Sequence, residues 1–215
     1  FGGFFSTGTL SYAWAKLYRK SFLDSNKIEF GDYRYAEDKI YNYFCYIAGA
    51  RYAFIDKKIY VYRRNEQSVS NTYRKDGDKD WMRIAQDLHD KIDSLNYEKK
   101  QYSQDEIENY ESIVAWTIYF AAFFDGKMEY EYSTGKIRAV INLLKRYASY
   151  DLTKKYLKNP LRYTKKIPAL SYKIMLGGFA FLMKCNMYLL LSLGIKLLVD
   201  CHIDERLSDT GRKED

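Results

Sequence analysis

Ser103-Gln-Asp-Glu106, followed by an almost unbroken apolar run from Ile113 to Phe124, constrains this chain more than any other stretch. The first four residues match a capping box, in which the Ser hydroxyl and the Glu carboxylate each satisfy a backbone N–H left free at a helix start. The run beyond is apolar on nearly every side. A helix of that kind is normally buried by other elements. The sequence therefore predicts an interior helix that runs to about Phe124 and needs neighbours. Two are legible. Trp81, Ile84, Ala85, Leu88, Ile92 and Leu95 recur at helical spacing, and so do Ile137, Val140, Ile141 and Leu144. With 215 residues, 47% of them hydrophobic, the chain has material for a sizeable core.

The first third reads differently. Residues 9–18 alternate and are rich in aromatics, which predicts a strand, and Arg19 to Asn26 predicts a short helical turn. Ile28-Glu-Phe30 reads as extended, with a turn at Gly31-Asp32. A helix from Glu37 should stop at Gly49. Arg51 to Ile55 and Ile59 to Arg63 read as a hairpin joined by Asp56-Lys57-Lys58. The expected fold class is thus α+β and helix-dominated. Residues 1–75 form one part, 76–150 a helical subdomain, 151–200 a basic and apolar helical segment, and 201–215 a disordered tail.

Charge is unevenly placed. The net charge of +7 divides into +6 over residues 1–75, −4 over 76–150, +7 over 151–200 and −2 beyond. Two basic blocks flank an acidic middle, so local partners for them are expected. Nucleic acid is not favoured, because no recognisable nucleic-acid motif accompanies the charge and the aromatics follow helix faces. Three cysteines, Cys45, Cys185 and Cys201, lie far apart and form no CxxC pair. A reduced, cytosolic setting is the simplest reading, with Cys45 in the core. The start, Phe1-Gly-Gly-Phe-Phe, has no basic n-region or cleavage pattern and reads as a chain entered mid-domain.

Glu37-Asp38 is the candidate chemical centre. Carboxylates at a helix start are stabilised by unpaired backbone N–H groups, so capping alone would explain the pair. Arg63-Arg64 with Ser68 and Ser70 forms a second cluster, since guanidinium forks match phosphate oxygens and hydroxyls add donors. A basic surface loop would explain these residues equally. The order of the pieces goes further. Trp14-Ala-Lys16-Leu-Tyr18-Arg19-Lys20-Ser-Phe22, Ile28-Glu-Phe30, Glu37-Asp38, Ile59-Tyr-Val-Tyr62-Arg63 and Ser68-Val-Ser70 together resemble the family 2 glycosyltransferases. The likeness is to the bacterial branch that builds capsule, lipopolysaccharide and exopolysaccharide, and it covers roughly residues 8–72.

The resemblance implies the C-terminal portion of a GT-A-type α/β domain followed by a helical extension. It implies an inverting transfer of a sugar from a nucleotide-sugar donor to a hydroxyl of a glycan or lipid-linked acceptor. Asp38 matches the general base and Glu37 its partner. Trp14 and Lys16 match the segment lining the acceptor and donor cleft. Arg63, Ser68 and Ser70 match a mobile loop near the diphosphate, with Arg64 beside it. The family's nucleotide-binding half and Asp-x-Asp motif belong upstream of such a segment. A divalent metal, Mg or Mn, is therefore expected in the full enzyme, with its main ligands outside these residues. Asp76-Gly-Asp78 lies downstream and does not replace them.

The C-terminal segment leaves three readings open. Lys154-Lys155, Lys158, Arg162 and Lys165-Lys166 precede an apolar stretch from Ile174 to Val199, which Lys184 divides. A lysine at the centre of a spanning helix costs about 2.5–3.5 kcal/mol. Spanning is not favoured; docking at an anionic membrane interface, packing back onto the domain, and self-association remain. Docking agrees with lipid-linked acceptors at the inner face of the plasma membrane. The functional alternative is a non-enzymatic basic helical module that binds a membrane surface or a partner protein. His89 reads as a solvated or edge residue, His202 as part of a charged tail, and Gly177-Gly178 as a kink or a close helix contact.

Overall fold

The computed structural model describes residues 12–34, 36–57, 59–61, 73–99 and 102–201. Nine helices are found among them: α1 (Lys20–Asn26), α2 (Glu37–Ile47), α3 (Gly77–Lys99), α4 (Gln104–Tyr132), α5 (Lys136–Ser149), α6 (Asp151–Leu157), α7 (Pro160–Thr164), α8 (Leu170–Lys184) and α9 (Tyr188–Asp200). No strand or sheet occurs among the described residues. The expected α+β class and the GT-A-type α/β domain are therefore corrected to an all-helical arrangement. Residues 12–18 form a turn and irregular chain, and 51–57 and 59–61 pair with nothing in a ladder. Their alternation of aromatic and β-branched residues is a strand signal, but a strand is stable only beside another strand. Phe54, Ile55, Ile59 and Val61 instead stand exposed.

The capping box forms as expected. Ser103 accepts from the Glu106 N–H, and the Glu106 carboxylate accepts from the Ser103 N–H at 2.8 Å. The helix it opens is central. α4 packs against α3 and α5 most extensively and also meets α6, α7, α8 and α9. From Ser112 to Trp116 and at Ile118, Tyr119, Ala121 and Ala122 every residue is buried. Buried polar ends are paired: the Trp116 indole donates to the Tyr163 carbonyl, and the Tyr119 hydroxyl donates to the Tyr156 carbonyl.

α4 does not stop near Phe124. It continues through Asp125-Gly126 to Tyr132, eight residues further. Gly126 is a packing residue and not a terminator. A Cβ there would lie 2.8 Å from Ile195 Cδ1 on α9, so its absence lets the two helices approach. The core face of α3 appears as expected at Trp81, Ile84, Ala85, Leu88 and Ile92, while the Leu95 side chain lies outside the described residues. One core cluster runs from Ile40 on α2 to Ile195 on α9, crossing the expected boundaries at residues 76 and 151.

A buried polar seam joins α3, α4 and α5. The Asp78 carboxylate, 1% exposed, accepts from Arg146 at 3.1 Å and from the Tyr150 hydroxyl at 3.1 Å. Asp125 accepts from the Tyr147 hydroxyl at 2.5 Å and from the Trp81 indole. Its carboxylate rests against Gly77, where a Cβ would sit 3.0 Å from the nearer oxygen. Removing one partner of a buried pair strands the other without compensation. Arg146 is itself half-exposed, so water offsets part of that loss. Arg146→Ala is expected to destabilise the fold by about 2 kcal/mol, measured by urea denaturation. An unchanged midpoint would mean that Asp78 is satisfied without Arg146.

His89 is not a solvated residue. It is 7% exposed, with one ring nitrogen 2.9 Å from Lys155 Nζ and the other 3.2 Å from the Tyr156 hydroxyl. Burial and the Lys155 ammonium both hold its pKa below the usual histidine value. It ties α3 to α6. Cys45 is buried, and all three cysteines are free. Gly177 makes a close contact, with a Cβ there 3.1 Å from Thr164 Oγ1. His202 and nearly all of the expected tail lie outside the described residues.

Candidate functional site

Helix α2 carries Glu37 and Asp38 in its first turn, after Ala36 in a left-handed conformation at φ 57°. Two clusters hold this helix. Ile40 and Ile47 enter the main core, while Tyr41 and Cys45 join Ile28 in a smaller one that also takes up Tyr18, Phe22 and Leu23. The N-terminal residues are thereby fastened to one side of α2 and the bundle to another. The helix stops as its sequence requires, with Gly49 at φ 82°, a conformation that favours glycine. α1 ends on Lys27 in the left-handed region, whose N–H reaches back to the Asp24 carbonyl.

Asp38 is half-buried and Glu37 is exposed. The Asp38 carboxylate accepts from the Lys39 N–H at 2.8 Å, a bond local to the helix start. The Ala13 N–H also favours its charged form, an influence that crosses 25 residues of sequence. The Tyr18 hydroxyl, 3.5 Å from the Ala13 carbonyl oxygen and bonded to Asn42 of α2, lays the turn at residues 13–15 onto the start of that helix. Burial pushes the Asp38 pKa above the ordinary carboxylate range, and the neighbouring Glu37 charge adds to the rise; the two backbone N–H groups and Lys39 oppose it. The group is a more basic carboxylate than one in open water.

Trp14 and Lys16 sit beside it. Trp14 stacks with Tyr12 at 4.8 Å between centroids and with Tyr60 at 4.9 Å, both nearly parallel. Tyr12 and Tyr60 are substantially exposed, so the stack is a surface feature. Lys16 Nζ donates to the Tyr12 carbonyl, closing the turn. Burial lowers the Lys16 pKa, and the Asp38 charge partly restores it. Behind the pair, Asn42 is buried: its amide donates to the Asp38 carbonyl at 2.7 Å, and its oxygen accepts from the Tyr18 hydroxyl at 3.0 Å. Tyr18 thus positions α2 relative to the turn.

Of the eight candidate site residues, Trp14, Lys16, Glu37 and Asp38 come together in space. Arg63, Arg64, Ser68 and Ser70 lie outside the described residues. Two neighbours carried no sequence signal. Tyr60 joins the stack only because residues 59–61 return to Trp14. Lys39 points its ammonium at the Trp81 and Phe120 rings, 5.7 Å from each centroid, which requires three separated elements to converge. Burial holds the Lys39 pKa down, with Asp38 opposing.

The carboxylates of Asp76-Gly-Asp78 are already engaged. Asp76 faces Lys79, and Asp78 is committed to Arg146 and Tyr150. Among the described residues no three His, Cys, Asp or Glu side chains gather as metal ligands would. A cleft of about 420 Å³ lined by Lys79, Met82, Arg83, Gln86, Tyr150, Asp151 and Leu152 contains none of the candidate site residues. No family model, curated protein or solved structure matches the chain.

Proposed function

We propose that this chain contributes the acceptor side of a sugar-transfer site, with Asp38 as general base. The observation that carries the reading is the Tyr18 hydroxyl, which lies between the Ala13 carbonyl and the buried Asn42 beside Asp38 and so joins an aromatic and cationic turn to a half-buried carboxylate. A base that accepts a hydroxyl proton works best when its pKa is lifted toward the operating pH. Burial and the Glu37 charge both act in that direction. The Tyr12–Trp14–Tyr60 stack offers flat π surface against which the C–H face of a sugar ring can rest. Lys16 keeps the site from accumulating negative charge beside two carboxylates.

The step balances simply. As the acceptor hydroxyl oxygen attacks the anomeric carbon, its proton passes to Asp38. The bond from that carbon to the diphosphate breaks, and the nucleoside diphosphate leaves with the electron pair. Attack opposite the leaving group inverts the anomeric centre. Arg63, Arg64, Ser68 and Ser70 supply the cations and hydroxyls that would meet the diphosphate. The acceptor is a glycan or a lipid-linked sugar of a cell-surface polysaccharide, elongated in the cytoplasm at the inner face of the plasma membrane. Separately from that placement, no helix among the described residues is long and apolar enough to cross a membrane.

The test is donor release by the protein from the complete reading frame, against a panel of nucleotide sugars with and without glycan acceptors. Acceptor-dependent release of a nucleoside diphosphate is expected. Folded protein that releases none from any donor would overturn the reading. Trp14→Ala is expected to raise the acceptor KM about fivefold with kcat little changed, the loss of one aromatic stacking contact. An unchanged KM would remove the stack from the acceptor site.

A further inference from the structure

Helices α8 and α9 are apolar on both faces, yet only one face of each is buried. Leu176, Phe179, Ala180 and Met183 of α8 and Leu191 and Ile195 of α9 enter the core. On the other side of α8, Leu170, Ile174 and Phe181 are 68%, 66% and 47% exposed. On α9 the exposed set is Leu189, Leu190, Leu193 and Leu197 at 59%, 48%, 46% and 59%. Each set follows helical spacing, so each is a stripe and not a scatter of single residues. The turn between them exposes Cys185, Asn186 and Met187. Gly178 and Gly194 interrupt the stripes, and a Cβ at either would meet nothing within 4 Å. Exposed apolar stripes of this kind mark an interaction site.

Charge identifies what covers it. Residues 151–200 carry nine basic and two acidic side chains. Some cations are neutralised inside the fold, as Arg162 and Lys165 are by Glu108 and Lys166 is by Asp105. Others are not. Lys158 and Lys173 meet no carboxylate among the described residues, and Lys184 donates only to the Lys158 carbonyl. Lys173 and Lys184 stand on α8 itself, and Lys184 brings Lys158 to its C-terminal end; an apolar surface carrying such cations is complementary to a bilayer with anionic headgroups. A second copy of the same surface would bring cation against cation. At about 1.5 Å per residue, helices of 15 and 13 residues are shorter than a bilayer's apolar core of about 30 Å, so they suit lying in the interface.

We infer that the α8–α9 pair is a membrane-docking surface for anionic lipid. The inference stands apart from the sugar-transfer reading, because its test contains no donor or acceptor. The 215-residue chain is floated with phosphatidylcholine vesicles, alone or with phosphatidylglycerol added. Recovery with the anionic vesicles and little with the neutral ones is expected. Leu193→Ser with Leu197→Ser should lower that recovery about tenfold while circular dichroism stays unchanged. Lys158→Gln with Lys173→Gln should weaken the preference for phosphatidylglycerol. Equal recovery in the soluble fraction with both vesicles would overturn the inference, as would flotation unaffected by the leucine pair. A dimer that the leucine pair converts to a monomer, without vesicle binding, would assign the surface to self-association and overturn it too.

Discussion

Asp38→Asn is expected to lower acceptor-dependent transfer by about 10²–10⁴-fold in the complete protein while donor binding survives. The amide keeps the shape of the carboxylate, and its oxygen can still accept from the Lys39 N–H; the turn stays joined to α2 through Tyr18 and Asn42. What is lost is the ability to take a proton. Stability should not fall, because burial already disfavours the charged carboxylate that the substitution removes. The pH profile carries the same argument. A base must be deprotonated, so kcat/KM rises as pH increases through the Asp38 pKa, with the rise above the ordinary carboxylate range. Glu37→Gln removes a neighbouring charge that lifts this pKa and should move the acid limb to lower pH. Transfer retained in Asp38→Asn would exclude Asp38 as the base; a limb unmoved in Glu37→Gln would exclude the coupling.

The second large effect is on stability and belongs to Asp125. Burial, with Asp78 and Glu129 nearby, pushes its pKa up to about 7 from 3.8, against the opposing bonds from Tyr147 and Trp81. The folded state therefore keeps a proton that the unfolded chain releases. Stability is greatest below the unfolded value and declines as pH rises from about 4 to about 7, then levels. A rise of about three units corresponds to at most about 4 kcal/mol. Asp125→Asn holds the neutral form at every pH, so it should be more stable than the parent at pH 8 and equal to it near pH 4. Two other contributions run the opposite way. His89, held below 6.5, favours folding as pH rises toward that value. Asp105, Glu106, Glu108, Asp151 and Asp200, all with lowered pKa values, lose their contribution only in acid. The difference between parent and variant in urea midpoints across pH isolates Asp125. A difference independent of pH would mean that Asp125 is ionised in the fold.

What sequence reading reached depended on the range of the interaction. The Ser103 capping box, the Gly49 stop and the apolar faces of α3 and α5 are settled within four residues along one helix, so spacing alone reveals them. Asp125-Gly126 resembles a stop by the same local rule. It is not one, because Ile195 from α9 fills the space that a side chain would need. The readings of residues 9–18 and 51–63 as strands failed for a related reason. Alternation records what a residue could do beside a ladder partner, and the described residues supply none. His89 looked marginal on its own helix until α6 brought Lys155 and Tyr156 against it.

The same division holds at the candidate site. Sequence alone determined a central buried helix, its amphipathic neighbours, an acidic pair at a helix start and an unbalanced basic C-terminus. These follow from hydrophobic period and from charge counted along the chain. Only the tertiary structure decided that Tyr18 reaches Asn42 behind Asp38, that Tyr60 stacks on Trp14, that Lys39 lies over Trp81 and Phe120, and that α8 and α9 turn an apolar face outward. Each is a contact between elements far apart in the chain. Periodicity says which side of a helix is apolar; it does not say whether enough neighbours arrive to cover it. For the middle of α4 they do on most sides, and for α8 and α9 they cover one face only.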